Sequence, residues 1–191
     1  TVADAAENET LEMLDAEGVP YVLVYNQPAA GGRPAVAIDN RRAMADMVRY
    51  LIGLGHRRFA MIAGSFTASD RSRLRFEGFA DALREAALPP GLLLEVRFDD
   101  TEMAPLLAGL FSGRPAPTAL VCTTDLLALA AIRSCRALGL QVPRDLTVTG
   151  FDGITLSALT SPSLTSLVQP SHAMGQQAVA QLLARLGAGE I

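Results

Sequence analysis

The sequence has little of what metal, disulfide or membrane chemistry requires. Its 191 residues include two cysteines, two histidines and no tryptophan. Cys122 and Cys135 lack the Cys-x-x-Cys spacing of a metal or redox motif, so we expect two buried, reduced thiols. No apolar run approaches the about 18 residues of a membrane span, and the residues after Thr1 are not a signal peptide. We therefore expect no metal, no cofactor, no membrane partner, and a chain that begins inside a longer protein.

Charge is also scarce, and its sign excludes one class of partner. Charged residues make up 19%, hydrophobic residues 50%, and the net charge is −4. This composition indicates a globular chain without a general attraction to nucleic acid phosphates, so any DNA partner is bound by another part of the protein. The basic run Arg71-Ser-Arg73-Leu-Arg75 is too short for a nucleic acid patch. Arg71 and Arg75 lie one helical turn apart, which allows one or both to face a cleft.

Apolar runs of strand length alternate with amphipathic helix patterns, which is typical of a parallel α/β sheet. The predicted strands are Val19–Asn26, Ala35–Asp39, Phe59–Gly64, Leu92–Phe98, Ala119–Thr124, Leu146–Asp152 and Leu164–Gln169. The predicted helices are Ala3–Ala16, the segment before Gly53 that contains Met44 and Leu51, a helix from about Arg71, the segment Met103–Leu110, Asp125–Leu138, and a final helix from Ser171 to about Leu186.

Polar side chains follow the predicted strands, where ligands bind in open parallel sheets. They are Asp39-Asn40, Ser65 to Asp70, Phe98-Asp99-Asp100, Thr124-Asp125 and Asp152-Gly153. Carboxylates, amides, hydroxyls and the nearby arginines suit a neutral ligand that carries many hydroxyl groups. The alternative for single residues is structural, because Thr124 or Asp125 can cap a helix and Asp152 can begin a turn.

The motifs of common enzymes are absent, so we expect a protein that is not an enzyme. The sequence has no Walker loop, no Gly-x-Gly-x-x-Gly, no Gly-x-Ser-x-Gly and no His-Glu-x-x-His. His56 precedes a strand and His172 lies in the first turn of the last helix, and we expect structural roles for both. Asp99 and Asp100 could serve a glycosidase, but adjacent aspartates are more typical of a solvated loop.

Several stretches resemble the effector-binding domain of the lactose-repressor-type (LacI/GalR) family of bacterial transcription regulators. They occur in the family's order along the whole chain. The segments are Val19-Pro-Tyr-Val-Leu-Val, Leu54-Gly-His-Arg-Arg-Phe-Ala-Met-Ile-Ala-Gly64, Ser72-Arg-Leu-Arg-Phe-Glu-Gly-Phe79, Pro117-Thr-Ala-Leu-Val-Cys, Ala137-Leu-Gly-Leu-Gln-Val-Pro-Arg-Asp-Leu146, Val148-Thr-Gly-Phe-Asp152 and Leu164-Thr-Ser-Leu-Val-Gln-Pro170.

The resemblance implies a type I periplasmic-binding-protein-like α/β fold. In this fold, two three-layer subdomains with parallel sheets enclose a ligand cleft and are joined by three crossovers. The expected division assigns 1–55 and 169–191 to an incomplete N-terminal subdomain and 56–168 to the C-terminal subdomain. The third crossover, the helix-turn-helix and the first strands of the N-terminal subdomain would lie outside the chain, which looks truncated at both ends.

The resemblance also implies a function. The chain would be the effector-binding and dimerisation domain of a cytoplasmic transcriptional repressor. Its expected partners are a sugar, polyol or nucleoside-like effector, a second copy in a homodimer, and operator DNA reached only through the missing helix-turn-helix. The alternative is a periplasmic sugar-binding protein of a transporter, which shares the fold. Uncovered sheet edges and an uncovered helix face predict association between chains or marginal stability.

Six ligand-binding residues follow from the same resemblance. The family's effector-binding arginine falls on Arg75, and the aspartate after its Val-x-Gly-Phe strand falls on Asp152. Thr124 and Asp125 stand where the family often has Asn-Asp, so a single hydroxyl replaces an amide. Phe98 lies near the position of the family's stacking aromatic residue. Gln169 corresponds to a position near both the ligand and the hinge.

Overall fold

A computed structural model of the chain describes residues 8–27, 32–112 and 115–187. Apart from the first two strands, which follow each other directly, helices and parallel strands alternate through this part. They are α1 (Glu9–Ala16), β1 (Leu23–Val24), β2 (Ala35–Val36), α2 (Asn40–Gly53), β3 (Phe59–Gly64), α3 (Asp70–Glu85), β4 (Leu92–Val96), α4 (Ala104–Ser112), β5 (Ala119–Cys122), α5 (Asp125–Ala137), β6 (Thr147–Asp152), α6 (Thr155–Leu159), β7 (Thr165–Val168) and α7 (Ser171–Gly187). The predicted residues before Asn8 lie outside the described part, and α6 was not predicted.

Five parallel strands in the order β4-β3-β5-β6-β7 form the main sheet. Strand β3 is buried along its whole length because helices cover both faces of the sheet. On one face, Met61 packs in a core with α2 and α3. On the other, Ile62 packs in a core with α4 and α5. The parallel three-layer arrangement predicted from the sequence is confirmed for this part of the chain.

Among the helices in the described ranges, four begin at a polar residue that caps the first turn. The side chains of Asn8, Asp39, Ser69 and Thr124 each accept a hydrogen bond from the backbone N–H three residues later. Each cap satisfies a donor that has no partner inside its own helix. For Thr124, this is the structural role that the sequence left open.

Strands β1 and β2 form a separate parallel pair that is shorter than the sequence predicted. Within the described residues, each of these strands has a single neighbour, so only two residues of Val19–Asn26 and of Ala35–Asp39 pair. Helix α7 packs on this pair through Met174 and Ala178, which contact Val36. We call residues 8–27, 32–39 and 169–187 the small unit, and residues 40–112 and 115–168 the large unit.

Helix α2 belongs to the large unit, which corrects the boundary expected at residue 55. Met44, Val48 and Leu51 share a core with Phe79 of α3 and with β3. The helical periodicity of α2 had indicated a buried face but not the unit against which that face packs. The chain therefore enters the large unit near Asp39, at the start of α2. The second boundary, near residue 169, stays a prediction.

Both cysteines are buried free thiols, as the sequence predicts. Burial raises the pKa of Cys135 to about 11 and raises the pKa of Cys122 further, so neither thiol is ionised at neutral pH.

In the described ranges, no helix has the length and hydropathy to cross a bilayer. The same ranges hold no group of three or more metal-ligating side chains.

Gly78 tests the packing of α2 against α3. A Cβ at this position would lie 1.9 Å from the carbonyl oxygen of Arg41. Although alanine is ordinarily favoured over glycine within a helix, we expect Gly78→Ala to lower the free energy of unfolding by about 1–3 kcal/mol through overpacking. Gly109→Ala in α4 is the matched control, because a Cβ there meets nothing within 4 Å.

Urea denaturation of both variants measures the difference. We expect Gly109→Ala to match or exceed the stability of the parent, since helix propensity is the main effect there. A Gly78→Ala variant as stable as the parent would contradict the close approach of the two helices.

Candidate functional site

Arg75 of α3 is a buried cation whose side chain is only 4% exposed. Its Nε donates to Oδ1 of Asn40 at 2.8 Å, and its Nη1 donates to the carbonyl oxygen of Thr123 and, at 3.4 Å, to Oδ1 of Asp152. The guanidinium carbon lies 3.6 Å from the centre of the Phe151 ring, in a cation–π contact. Burial lowers the pKa of Arg75 to about 10, which keeps it protonated at neutral pH.

Asp152 ends β6 and presents its carboxylate beside Arg75. Oδ1 accepts a hydrogen bond from Nε2 of Gln169 at 2.7 Å, in addition to the longer one from Arg75. Burial raises the pKa of Asp152, while Arg75 and the hydrogen bond from Gln169 partly oppose that rise. The backbone of Asp152 has φ of +116°, in the region that favours glycine.

With the units divided in this way, these residues link the two places where the chain passes between them. Asn40 begins α2, immediately after the first passage, and Gln169 lies between β7 and α7, at the second. Because Asn40 binds Arg75 and Gln169 binds Asp152, one chain of polar contacts runs from one passage to the other. The Arg75–Asp152 pair therefore contacts a residue at each passage.

A second group of polar contacts ties the end of β1 to the large unit. Asp70 is 2% exposed, and its carboxylate accepts from Nδ2 of Asn26 at 3.2 Å and from the backbone N–H of Gln27 at 3.0 Å. Oε1 of Gln27 in turn accepts from the backbone and side-chain nitrogens of Asn40. The small unit thus contacts the same asparagine that holds Arg75.

A cleft of about 910 Å³ opens between the units beside this network. Its wall combines Tyr25 after β1, Arg71 from α3, residues 152–155 at the end of β6 and beyond it, and residues 169–173 around the start of α7. The volume lies within the range of about 300–1,000 Å³ that small-molecule sites occupy. The lining supplies carboxylate, guanidinium, amide and hydroxyl groups, which can bind a ligand with several hydroxyls.

The structure brings three of the six predicted site residues together. Asp152 and Gln169 line the cleft, and Arg75 lies directly behind Asp152. Whether these three contact a ligand stays a prediction. Of the arginines around them, Arg71 lines the cleft and Arg73 is exposed.

The other three predicted residues do not line this cleft. Thr124 caps α5, with its hydroxyl accepting from the backbone N–H of Leu127 at 3.2 Å. Asp125 is fully buried, and its carboxylate accepts three hydrogen bonds from the β6–α6 and β7 segments, so the structure does not present it to a ligand. Phe98 is 39% exposed and lies against the backbone of Gly64, at a neighbouring strand end.

Tyr25 and His172 are among the cleft-lining residues that were not predicted as ligand contacts. Tyr25 follows the two-residue strand β1, so the rule that placed other candidates at strand ends also applies to it. His172 was expected to be structural, but it lies on the cleft wall in the first turn of α7. From the sequence, Asn40 is a candidate only by its place after a strand. The other histidine, His56, contacts Thr118 through Nδ1 at 3.0 Å.

Residues 48–191 match the profile of the family described as periplasmic binding protein-like domain. Over 187 residues, the chain is 37% identical to the HTH-type transcriptional regulator MalR of Streptomyces coelicolor, covering 95% of this chain and 54% of that protein. The chain belongs to the LacI/GalR family of transcriptional regulators.

Another LacI/GalR relative matches the chain over a similar share of its own length. The HTH-type transcriptional regulator DegA of Bacillus subtilis is 34% identical over 170 residues, which cover 87% of this chain and 50% of that regulator. The chain thus spans about half the length of the curated relatives it matches.

Solved structures confirm the periplasmic-binding-protein-like fold. The transcriptional regulator CelR in complex with cellobiose is 31% identical and superposes with a TM-score of 0.85, covering 98% of this chain and 58% of that one. A LacI family regulator from Enterococcus faecium with bound ribose is 25% identical, with a TM-score of 0.84, covering 98% of this chain and 70% of that one.

Proposed function

We propose that this chain binds a sugar, polyol or nucleoside-like effector in the cleft between its units, as the effector-binding part of a bacterial transcriptional repressor. The observation that carries the proposal is the Arg75–Asp152–Gln169 group, which joins the cleft wall to both passages between the units. The sugar-bound regulators with which the chain superposes support the class of ligand.

The chemistry of Asp152 fits a hydroxyl ligand. Both of its side-chain hydrogen bonds to described residues use Oδ1, which leaves Oδ2 available as an acceptor for a ligand hydroxyl. Gln169 also lines the cleft, so its amide can bind the ligand while it donates to the carboxylate of Asp152. A ligand that bridges these groups and the α7 side of the cleft binds best at one relative orientation of the units.

Such a preference shifts the population between orientations of the two units. In the whole regulator, that shift would reach the operator through a helix-turn-helix segment, and the protein would act in the cytoplasm. The chain itself has a net charge of −4, which agrees with DNA binding by a different segment.

The ligand proposal is tested by calorimetric titration with a panel of monosaccharides, disaccharides, polyols and nucleosides that includes cellobiose and ribose. We expect a member of the panel to bind, and Asp152→Asn and Arg75→Ala each to weaken its binding about tenfold or more, because a charged hydrogen-bonding group is lost. Asp99→Asn is the matched control, since Asp99 is exposed and pairs only with Arg97 among the described residues.

Circular dichroism establishes that each variant is folded. Folded Asp152→Asn and Arg75→Ala variants that bind as tightly as the parent would show that the site is wrong. A parent that binds no member of the panel would contradict the proposed class of effector.

We also propose that the chain forms a homodimer through the surface around α6. Leu126, Leu156 and Leu159 are 60%, 51% and 76% exposed. The first belongs to the start of α5, which hydrogen bonds to the start of α6 through Asp125. Exposed leucines on adjacent helices are unfavourable in water and are covered when two copies associate.

Sedimentation of Leu159→Asp tests the dimer. We expect the parent to associate with rising concentration and Leu159→Asp to remain a monomer, because a buried carboxylate without a partner opposes association. Leu54→Asp is the control, since Leu54 is 61% exposed but precedes β3, at the opposite end of the sheet. A parent that stays monomeric, or a Leu159→Asp variant that still dimerises, would contradict the proposal.

A further inference from the structure

The backbone at Asp152 requires support from its surroundings. With φ of +116°, Asp152 adopts a conformation that residues with a Cβ rarely occupy, and Gly153 follows with φ of +69°. Such a conformation is costly and persists only where neighbouring groups hold it. The groups that hold this turn therefore also determine where the Asp152 carboxylate points.

Buried Asp125 and partly buried Ser166 bind the backbone directly after Asp152. The N–H of Gly153 donates to Oγ of Ser166 at 3.2 Å, and the N–H of Ile154 donates to Oδ2 of Asp125 at 2.8 Å. Ser166 itself donates to Oδ1 of Asp125 at 2.5 Å. Successive backbone donors of the turn are thus tied to β7 and to α5.

The carboxylate of Asp125 suits this arrangement better than an amide would. Three donors converge on its two oxygens, namely the N–H of Ile154 and the hydroxyls of Ser157 and Ser166. An asparagine has a single side-chain oxygen, so its NH₂ would face at least one of these donors. Hydrogen bonds to an ionised carboxylate are also stronger than those between neutral groups.

Two glycines make room for these contacts. A Cβ at Gly150 would lie 2.2 Å from Oδ1 of Asp125, and a Cβ at Gly153 would lie 2.7 Å from Cα of Val168. The sequence therefore places glycine both where Asp125 approaches β6 and where the turn approaches β7.

We propose that Asp125 and Ser166 are positioning residues that hold the Asp152–Ile154 backbone, so that the Asp152 carboxylate meets Arg75, Gln169 and the effector. The contact with the effector rests on the proposed function, whereas the hold on the backbone does not. Asp125, which the sequence had suggested as a ligand contact, acts instead through Asp152.

Ser166→Ala is the variant that tests this role. It removes the acceptor of the Gly153 N–H and one donor to Asp125 but leaves every other side chain in place. Ser134→Ala is the matched control, because Ser134, which is buried, is also a serine whose Oγ accepts a backbone hydrogen bond, from Met103 at 3.2 Å. Ser166→Thr retains the hydroxyl and tests whether this group is enough to keep the turn as it is in the parent.

Nuclear magnetic resonance provides two readouts at the turn. The three-bond coupling between the amide and α protons of Asp152 reports its φ, and hydrogen exchange of the Ile154 amide reports the hydrogen bond to Asp125. For Ser166→Ala, we expect the small coupling of the parent to rise toward that of extended backbone and the protection of Ile154 to fall about tenfold or more. Ser134→Ala should change neither, although it too loses stability.

The outcomes separate positioning from a general loss of stability. An Asp152 coupling and Ile154 protection in Ser166→Ala equal to those of the parent would overturn the proposal, as would equal changes in Ser134→Ala. Recovery of the parent values in Ser166→Thr would support it further. No ligand is used, so failure of the proposed effector site would appear in the sugar titrations and not in these measurements.

Discussion

The structure around the cleft depends on the burial of one cation. A guanidinium that is 4% exposed is stable only when acceptors bind its N–H groups and another group packs against its plane. The carbonyl of Thr123, the side chains of Asn40 and Asp152, and the ring of Phe151 meet these needs for Arg75. These groups come from the start of α2 and from the ends of β5 and β6, so the one side chain aligns three parts of the large unit.

The same contacts explain how binding could act on the whole molecule. Asn40 and Gln169 mark the two passages between the units, and both belong to the network that Arg75 and Asp152 form. Asp70 and Gln27 attach the small unit to this network from the other side. An effector that engages Asp152 would therefore act where the relative orientation of the units is determined.

Local patterns in the sequence predicted most helices and strands of the large unit, because apolar runs, helical periodicity and capping residues each depend on near neighbours in the chain. The assignment of α2 failed because its apolar face, with Met44 and Val48, fits either unit equally well as a pattern. Asp125 shows a second limit. Its place after a strand was correct, but only the packed structure shows that its carboxylate turns inward to Ile154 and Ser166.

A double-mutant cycle on the free energy of unfolding tests the central role of Arg75 most directly. Asn40 and Asp152 each bind this arginine. We therefore expect Asn40→Ala and Asp152→Asn to be coupled by about 0.5–3 kcal/mol, since either change alters the partners left to the buried cation. Effects of the two substitutions that simply add would contradict the account, because Arg75 would then not join the two sides of the network.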